Sequence, residues 1–256
     1  MLDLSQVIPK LKKWACRQES IYALYIFGSY AKGTATEESN LDLAVIVVPD
    51  LGDTSALAAF ICEEDENQWE QEIKQILNFE KVRLHFYHSQ AVKSAVKESR
   101  IMVYLRKKLY YFAYGSNMDS QRMKSRRVVF FSRVPARLCG YRLEFNKVAS
   151  RNPQEGYANI VPDDNGIVEG ALYEIDPVSL DSLDVFEGCP KHYIKQHIKV
   201  RTNDNREFSA VTYIAVPEKT RNGLLPTREY LNHLLAGKDV LSEKYYRRLI
   251  NMKTLD

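Results

Sequence analysis

The first hundred residues alternate between helical and extended patterns of hydrophobic positions. Apolar residues recur at the spacing of one helix face over residues 3–18, which predicts an amphipathic helix. Runs rich in β-branched and aromatic residues predict strands, and polar stretches with helical spacing predict further helices. The predicted strands are residues 21–27, 41–48 and 82–87, and the further helices are residues 56–62 and 67–77. This order of elements is typical of a small α/β unit.

A second pattern begins at residue 109, where an aromatic, strand-like run stops at Gly115. Ser116 and Asn117 follow, and a polar stretch from Asp119 predicts a helix. Glycine adopts backbone conformations that other residues avoid, and successive free N–H groups ahead of a helix can bind an anion. The segment therefore has two interpretations, an ordinary strand-to-helix turn or a site for a carboxylate or phosphate.

One helix in the second half has clear sequence boundaries. Alternation over residues 167–175 predicts a strand, after which Asp176 supplies an N-cap and Pro177 the first helical position. Gly188 ends the helix, so that Glu187 lies in its last turn beside the apolar face. A partly desolvated carboxylate at the negative end of a helix suits a group that takes up a proton and returns it. The alternative is a surface carboxylate at a helix end.

Several short motifs between residues 114 and 230 occur in a characteristic order and spacing. They are residues 114–117, 156–162, 170–173, 183–188 followed by Tyr193, and 226–230 ahead of two final helices. With these motifs, residues 107–256 resemble the gamma-glutamylcyclotransferase family. The ordered set is more specific than a lone Gly-Ser-Asn. The resemblance implies a mixed β-barrel with flanking helices, and hence an α+β chain overall.

This resemblance implies a reaction in which the substrate supplies its own nucleophile. The free α-amine of a small gamma-glutamyl compound attacks the γ-carbonyl, which yields 5-oxoproline and releases an amine or amino acid. Glu187 would be the catalytic acid and base, and no metal or cofactor is expected. Backbone N–H groups of one loop and one additional hydroxyl would bind the substrate, from residues Tyr114, Gly115, Ser116, Asn117, Met118 and Tyr193.

A different motif marks the start of the chain. A predicted strand ends at Gly28 and Ser29, a short helix follows, and Asn40 and Asp42 begin the next strand. With this motif, residues 1–106 resemble the minimal nucleotidyltransferase domain, an α/β fold. The resemblance implies a nucleotide bound at Gly28 and Ser29, with Asp42 beside it.

Departures from that motif weaken the expectation of catalysis. Nucleotidyl transfer needs several carboxylates on neighbouring strands to hold Mg²⁺ against the triphosphate. Here Asn40 replaces one acid, and the strand over residues 82–87 carries Arg83 and His85. We expect a catalytically degenerate domain that could still bind a nucleotide, with Arg83 in place of the metal's charge. The alternatives are an active nucleotidyltransferase acting on a protein, RNA or small molecule, and a non-catalytic binding or regulatory protein.

Length and charge agree with two domains, residues 1–106 and 107–256. The net charge of +3 combines 12 Lys and Arg against 15 Asp and Glu in the first part with 24 against 18 in the second. A basic second domain suits an acidic small molecule. Six basic residues lack a nucleic-acid recognition motif, so we interpret them as a solvated face and expect no nucleic-acid partner: Arg122, Lys124, Arg126, Arg127, Arg133 and Arg137.

The cysteines and the N-terminus predict a cytoplasmic protein. Cys16, Cys62, Cys139 and Cys189 show no paired spacing, which is typical of reduced thiols. Neither a signal peptide nor a membrane-spanning apolar stretch is predicted. Cys189 lies close to Glu187, and His192 leaves open the alternative that this thiol is a nucleophile.

Overall fold

The structure of the chain, a computed structural model, describes residues 2–47 and 64–256. The chain divides into two compact units, Met1–Lys107 and Lys108–Asp256. The helix predicted over residues 56–62 lies outside the described residues.

The first unit is a four-stranded sheet with helices. Its strands follow the order β3-β2-β1-β4, in which β2 and β3 run parallel and the other neighbours run antiparallel. The strands are β1 Ile21–Phe27, β2 Leu41–Val47, β3 Val82–Phe86 and β4 Arg100–Leu105, and the helices are α1 Leu4–Ala15, α2 Gly28–Lys32, α3 Glu64–Leu77 and α4 Gln90–Glu98. The sequence predicted the strands β1 to β3 and the helices α1 to α3. It did not predict α4 and β4 as separate elements.

The core of the first unit forms where α1 and α3 cover the sheet. Leu11 and Ile73 are fully buried there, and Trp14 packs edge-on against Trp69. The indole N–H of Trp14 donates to Glu72, so the one polar atom of this buried ring is satisfied. The central strand β1 is buried along nearly its whole length, as its unbroken apolar sequence requires.

The second unit is a closed barrel with the strand order β5-β7-β6-β8-β9. Its strands are β5 Leu109–Ala113, β6 Phe130–Val148, β7 Gly156–Ile175, β8 Tyr193–Thr202 and β9 Glu207–Ala215. The barrel closes where β5 pairs in parallel with β9, at Tyr111 opposite Val211. Four helices flank it: α5 Ser120–Ser125, α6 Pro177–Glu187, α7 Arg228–Leu235 and α8 Glu243–Ile250. The predicted fold class, a mixed barrel with flanking helices after an α/β unit, is confirmed.

Local signals set the boundaries of α6. The carboxylate of Asp176 accepts a hydrogen bond from the N–H of Val178, and Pro177 occupies the first turn. Gly188 has φ 62° and is the left-handed residue that ends the helix. Leu183 is fully buried, whereas Phe186 is 52% exposed, so the apolar face of α6 is narrower than its sequence suggests. Both predicted ends of this helix are confirmed.

Candidate active site

The Glu187 side chain at the end of α6 points into the protein and is only 16% exposed. Its Oε1 atom accepts hydrogen bonds from Asn117 Nδ2 and from Arg126 Nη1, each at 3.0 Å. The Oε2 atom accepts no hydrogen bond from any described residue. The alternative of an exposed carboxylate at a helix end is therefore wrong, and one oxygen stays free for chemistry.

Asn117 connects the groups around this carboxylate. Its Oδ1 atom accepts from Arg126 Nη1 at 2.7 Å, and its Nδ2 atom donates to the Tyr111 hydroxyl at 2.8 Å as well as to Glu187. The side chain is buried, so these bonds hold it in one orientation. The sequence predicted only a backbone contribution from Asn117, and its side chain proves to position the acid.

The loop after β5 presents unused backbone donors. The N–H groups of Gly115, Ser116 and Asn117 donate no hydrogen bond to any described residue. Ser116 and Asn117 belong to a 3₁₀ turn, Ser116–Met118, and Gly115 lies directly before it. The helix predicted from Asp119 is confirmed, because Asp119 is the N-cap of α5. Unpaired N–H groups at a cavity wall are suited to an anion.

A small cavity of about 30 Å³ joins the loop to Glu187, and we call it the inner cavity. Of the sequence-predicted residues it is lined by Tyr114, Gly115, Ser116, Asn117, Glu187 and Tyr193. Met118 is not among its lining residues. The Met118 side chain is fully buried and its N–H donates to the Gly115 carbonyl at 2.9 Å, so Met118 is left out of the binding set.

Tyrosines form much of the inner cavity wall. The Tyr114 hydroxyl donates to the Tyr213 carbonyl, and the Tyr193 hydroxyl donates to the Ala158 carbonyl at 3.0 Å. Burial raises the pKa of the phenols of Tyr111, Tyr114 and Tyr193 above its ordinary value. These phenols therefore stay neutral near neutral pH.

A larger cavity of about 320 Å³, the outer cavity, adjoins the inner one. The two share Ser116, Glu187, Tyr193 and Tyr230 as lining residues. The outer cavity adds a set of basic side chains: Arg122, Arg126, Lys147 and His192. The outer cavity is thus lined by one acidic side chain, Glu187, and by several side chains that are or can become positively charged.

The interpretation of the basic cluster as a solvated face is wrong for part of it. The side chains of Arg126 and Arg133 are 10% and 12% exposed. Arg126 pairs with Glu187, and Arg133 donates to the Met118 carbonyl and pairs with Asp239. Arg126, which contacts Glu187, is one of the residues of this site that the sequence reasoning missed. No local signal marks it, because its partner lies 61 positions away in the chain.

Cys189 does not have the surroundings of a nucleophile. Burial and the nearby Asp184 carboxylate raise the pKa of its thiol, which favours the protonated form. Cys189 is also not among the lining residues of either cavity. The alternative of a cysteine nucleophile beside Glu187 has no support.

In the first unit, the predicted residues Gly28, Ser29 and Asp42 come together where β1 ends. Gly28 has φ 71°, and a Cβ atom placed on it would lie 2.7 Å from Asp42 Oδ2. Asp42 is the register neighbour of Arg83 on β3. Burial raises the pKa of Asp42, and the charges of His85 and Arg83 oppose that rise. Among residues 2–47 and 64–256, no three His, Cys, Asp or Glu side chains are grouped so that they could hold a metal ion.

Comparison with known families agrees with this geometry. Residues 111–232 match the family model of gamma-glutamyl cyclotransferase, AIG2-like. Residues 9–109 match that of polymerase beta, nucleotidyltransferase. Both predicted resemblances are confirmed.

Individual proteins named gamma-glutamylcyclotransferase are similar to part of this chain. Human gamma-glutamylcyclotransferase is 31% identical over 110 residues, 41% of this chain and 57% of the human protein. The mouse protein of that name is 29% identical over 145 residues, 54% of this chain and 76% of its own. The chain thus spans little more than half the length of the human relative.

Solved structures support the barrel. A gamma-glutamyl cyclotransferase structure is 25% identical with a TM-score of 0.52, and covers 59% of this chain and 90% of its own. A human protein described as uncharacterized is 26% identical with a TM-score of 0.51, and covers 59% and 91%. Within the part of the chain that the structure describes, no helix combines the length and hydropathy that a membrane crossing needs.

Proposed function

We propose that the second unit cyclises a gamma-glutamyl compound to 5-oxoproline and releases an amine or amino acid. One observation carries the proposal: Glu187, whose Oε2 accepts no hydrogen bond from the described residues, lines the same cavity as Gly115, Ser116 and Asn117, whose N–H groups donate none to them. The likeness to gamma-glutamylcyclotransferases supports it. A cytoplasmic location, expected from the cysteines, is part of the proposal.

Binding would bring the reacting groups of the substrate together. The α-carboxylate would accept hydrogen bonds from the loop N–H groups, so that the α-amine beside it faces Glu187. Folding the glutamyl chain back places this amine against its own γ-carbonyl. Well-oriented intramolecular reactions of this kind gain roughly 7–11 kcal/mol over the separate reactants. Because the uncatalysed cyclisation is also intramolecular, the protein would add only the part that comes from holding the bound substrate in its reactive conformation.

Glu187 would move the protons. A free α-amine has a pKa near ~8 and is largely protonated at neutral pH, so it must lose a proton before it attacks. Glu187 Oε2 takes that proton, the nitrogen forms a bond to the γ-carbon, and the old amide C–N bond breaks. Glu187 then donates a proton to the departing nitrogen. The ring nitrogen gives up its second excess proton as it becomes an amide nitrogen, and this proton also passes through Glu187 to the released amine, which leaves as an ammonium ion. Arg126 and Asn117 hold Oε1 throughout, which keeps Oε2 directed into the cavity.

The test is 5-oxoproline release by the purified full chain from a panel of gamma-glutamyl amines, amino acids and dipeptides, read by mass spectrometry. We expect release from at least one member, with one 5-oxoproline formed per departing amine. An N-acetylated copy of the same substrate lacks the nucleophile and should be inert. Formation of glutamate in place of 5-oxoproline would indicate hydrolysis, and no turnover of any member would also overturn the proposal.

For the first unit we propose nucleotide binding without nucleotidyl transfer. The arrangement of Gly28 beside Asp42, with Arg83 opposite, supports a site for a phosphate group that does not depend on a metal. Calorimetric titration with ATP, with and without Mg²⁺, should give binding that Mg²⁺ does not strengthen. Absence of heat in both titrations would end this proposal, and label transfer from ATP to a protein, RNA or small molecule would favour an active nucleotidyltransferase.

A further inference from the structure

Lys147 is a buried lysine that forms no ion pair with any residue that the structure describes. It lies near the end of β6, opposite Tyr157 on β7, and is 3% exposed. Its Nζ atom is 5.4 Å from the Tyr157 ring centre and 5.7 Å from that of Tyr193. Within residues 2–47 and 64–256, the ammonium group of Lys147 forms no hydrogen bond and no ion pair.

Such an ammonium group is energetically unusual. Lysine is almost never fully buried unless it is paired, because removing the charge from water is unfavourable. Burial accordingly lowers the pKa of Lys147, while the charge of Glu187 opposes that effect. Contacts with two ring faces recover part of the lost hydration. An anion that binds from solvent would supply a negatively charged partner for this ammonium group.

The position of Lys147 indicates which part of a substrate would carry this negative charge. Lys147 lines the outer cavity but not the inner one, whereas the unpaired N–H groups lie at the inner one. Glu187 lines both. A substrate whose glutamyl end occupies the inner cavity would therefore have its scissile amide at Glu187 and its departing part in the outer cavity, near Lys147.

We propose that Lys147 binds a carboxylate on the departing part of the substrate. This inference rests on the proposed cyclisation and narrows its substrates to gamma-glutamyl amino acids or peptides rather than gamma-glutamyl amines. Arg122 and His192, which line the same cavity, add to its affinity for a negative charge. An uncharged or cationic departing group would leave the Lys147 ammonium without a partner.

The experiment compares two substrates that differ only in this charge, gamma-glutamylalanine and its C-terminal amide. A hydrogen bond to a charged group favours the acid by about 10- to 100-fold in kcat/KM. In Lys147→Met we expect the ratio of acid to amide to fall toward one, and Lys147→Arg should keep part of it. Lys244→Met is the matched control, because Lys244 is an exposed lysine that neither lines the outer cavity nor is among the charges that act on Lys147, and it should leave the ratio unchanged.

A second measurement separates this inference from the proposed cyclisation. Both compounds are titrated calorimetrically into Glu187→Gln and into the double variant with Lys147→Met. Preferential binding of the acid that disappears with Lys147→Met supports the inference even if the wild type releases no 5-oxoproline. Release without discrimination between acid and amide, or equal losses on both substrates in Lys147→Met, would overturn it while the cyclisation stands. Neither binding nor release would overturn both.

Discussion

The two units share a local arrangement around one carboxylate. Each has a strand that ends in a Gly-Ser turn, a carboxylate brought beside that turn, and an arginine near the carboxylate. In the first unit these are Gly28, Ser29, Asp42 and Arg83, and in the second they are Gly115, Ser116, Glu187 and Arg126.

The difference lies in how each carboxylate is held. Arg126 and Asn117 both donate to Glu187 Oε1, and Glu187 lines two cavities. Asp42 accepts no hydrogen bond from the described residues, and Arg83 acts on it only through its charge. A carboxylate beside a Gly-Ser turn is thus a weak functional signal in itself. What distinguishes a site is the set of side chains that fixes the acid and leaves one oxygen accessible.

The largest expected effect follows from changing the two acids in turn. Glu187→Gln removes the proton acceptor, and general acid–base catalysis is worth about 10²–10⁴-fold, so 5-oxoproline release should fall by that factor. Asp42→Asn should leave the release within about twofold, because Asp42 belongs to the other unit. Initial rates on the best substrate of the panel measure both. Equal losses in the two variants would abolish the distinction between the units.

The arginines provide the next comparison. Arg126→Met removes a charge-assisted hydrogen bond from Glu187, a loss of about 1.5–3 kcal/mol, and should lower kcat by about 10- to 100-fold. Arg83→Met changes an exposed residue in the first unit and should leave kcat unchanged.

A control variant near Arg126 distinguishes the contact of Arg126 with Glu187 from the overall positive charge of this region. Lys124→Met removes an exposed cation from α5, the helix just before Arg126, and should have no effect on kcat. If Lys124→Met and Arg126→Met lowered kcat equally, the overall charge rather than the contact with Glu187 would be responsible.

The sequence predicted the parts of the second site that depend on neighbours along the chain. Asp176 and Gly188 fix both ends of α6, so the position of Glu187 in its last turn could be derived. The orientation of Arg126 could not, because it depends on Glu187, which is brought near only by closure of the barrel. The burial of Lys147 could not be predicted either, because it also depends on closure of the barrel. Its position in a strand of alternating residues is equally compatible with an exposed side chain.

The buried phenols give the second unit its own response to alkaline pH. Burial raises the pKa of Tyr173 to about 12. A raised pKa stabilises the folded state fully below the unfolded value near 10, and this stabilisation is lost as the pH rises through 12. We expect the free energy of unfolding of the second unit to fall by about 3 kcal/mol from this residue alone between these pH values.

Hydrogen exchange read peptide by peptide measures that loss. Tyr173→Phe should be less stable at pH 8 by about 1–3 kcal/mol, because the Asn117 carbonyl and Arg133 lose a partner. It should also show a smaller alkaline loss than the wild type. An unchanged alkaline loss in this variant would mean that Tyr173 does not contribute to it.

The smallest expected effect is the change in folding stability when each carboxylate is replaced by its amide, and this change differs in sign between the two units. Burial raises the pKa of Asp42, so this residue favours folding below the unfolded value near ~3.9 and loses that contribution as the pH rises through its folded value. At pH 7 the first unit therefore holds a half-buried carboxylate without a hydrogen-bond donor. Asp42→Asn should slightly stabilise the first unit at pH 7, and the gain should disappear on acidification toward pH ~3.

Glu187→Gln should give no such gain in the second unit, because its carboxylate is already held by two donors and the amide would turn one oxygen into a competing N–H donor. Exchange rates of peptides from β2 and from α6 report the two units separately in one experiment. A stabilising Glu187→Gln together with a destabilising Asp42→Asn would show that the first unit, not the second, has the well-held acid. A stabilising Asp42→Asn together with a destabilising Glu187→Gln would show that hydrogen-bond donors distinguish the two carboxylates. Charge alone would not explain that result, since both variants remove a single negative charge.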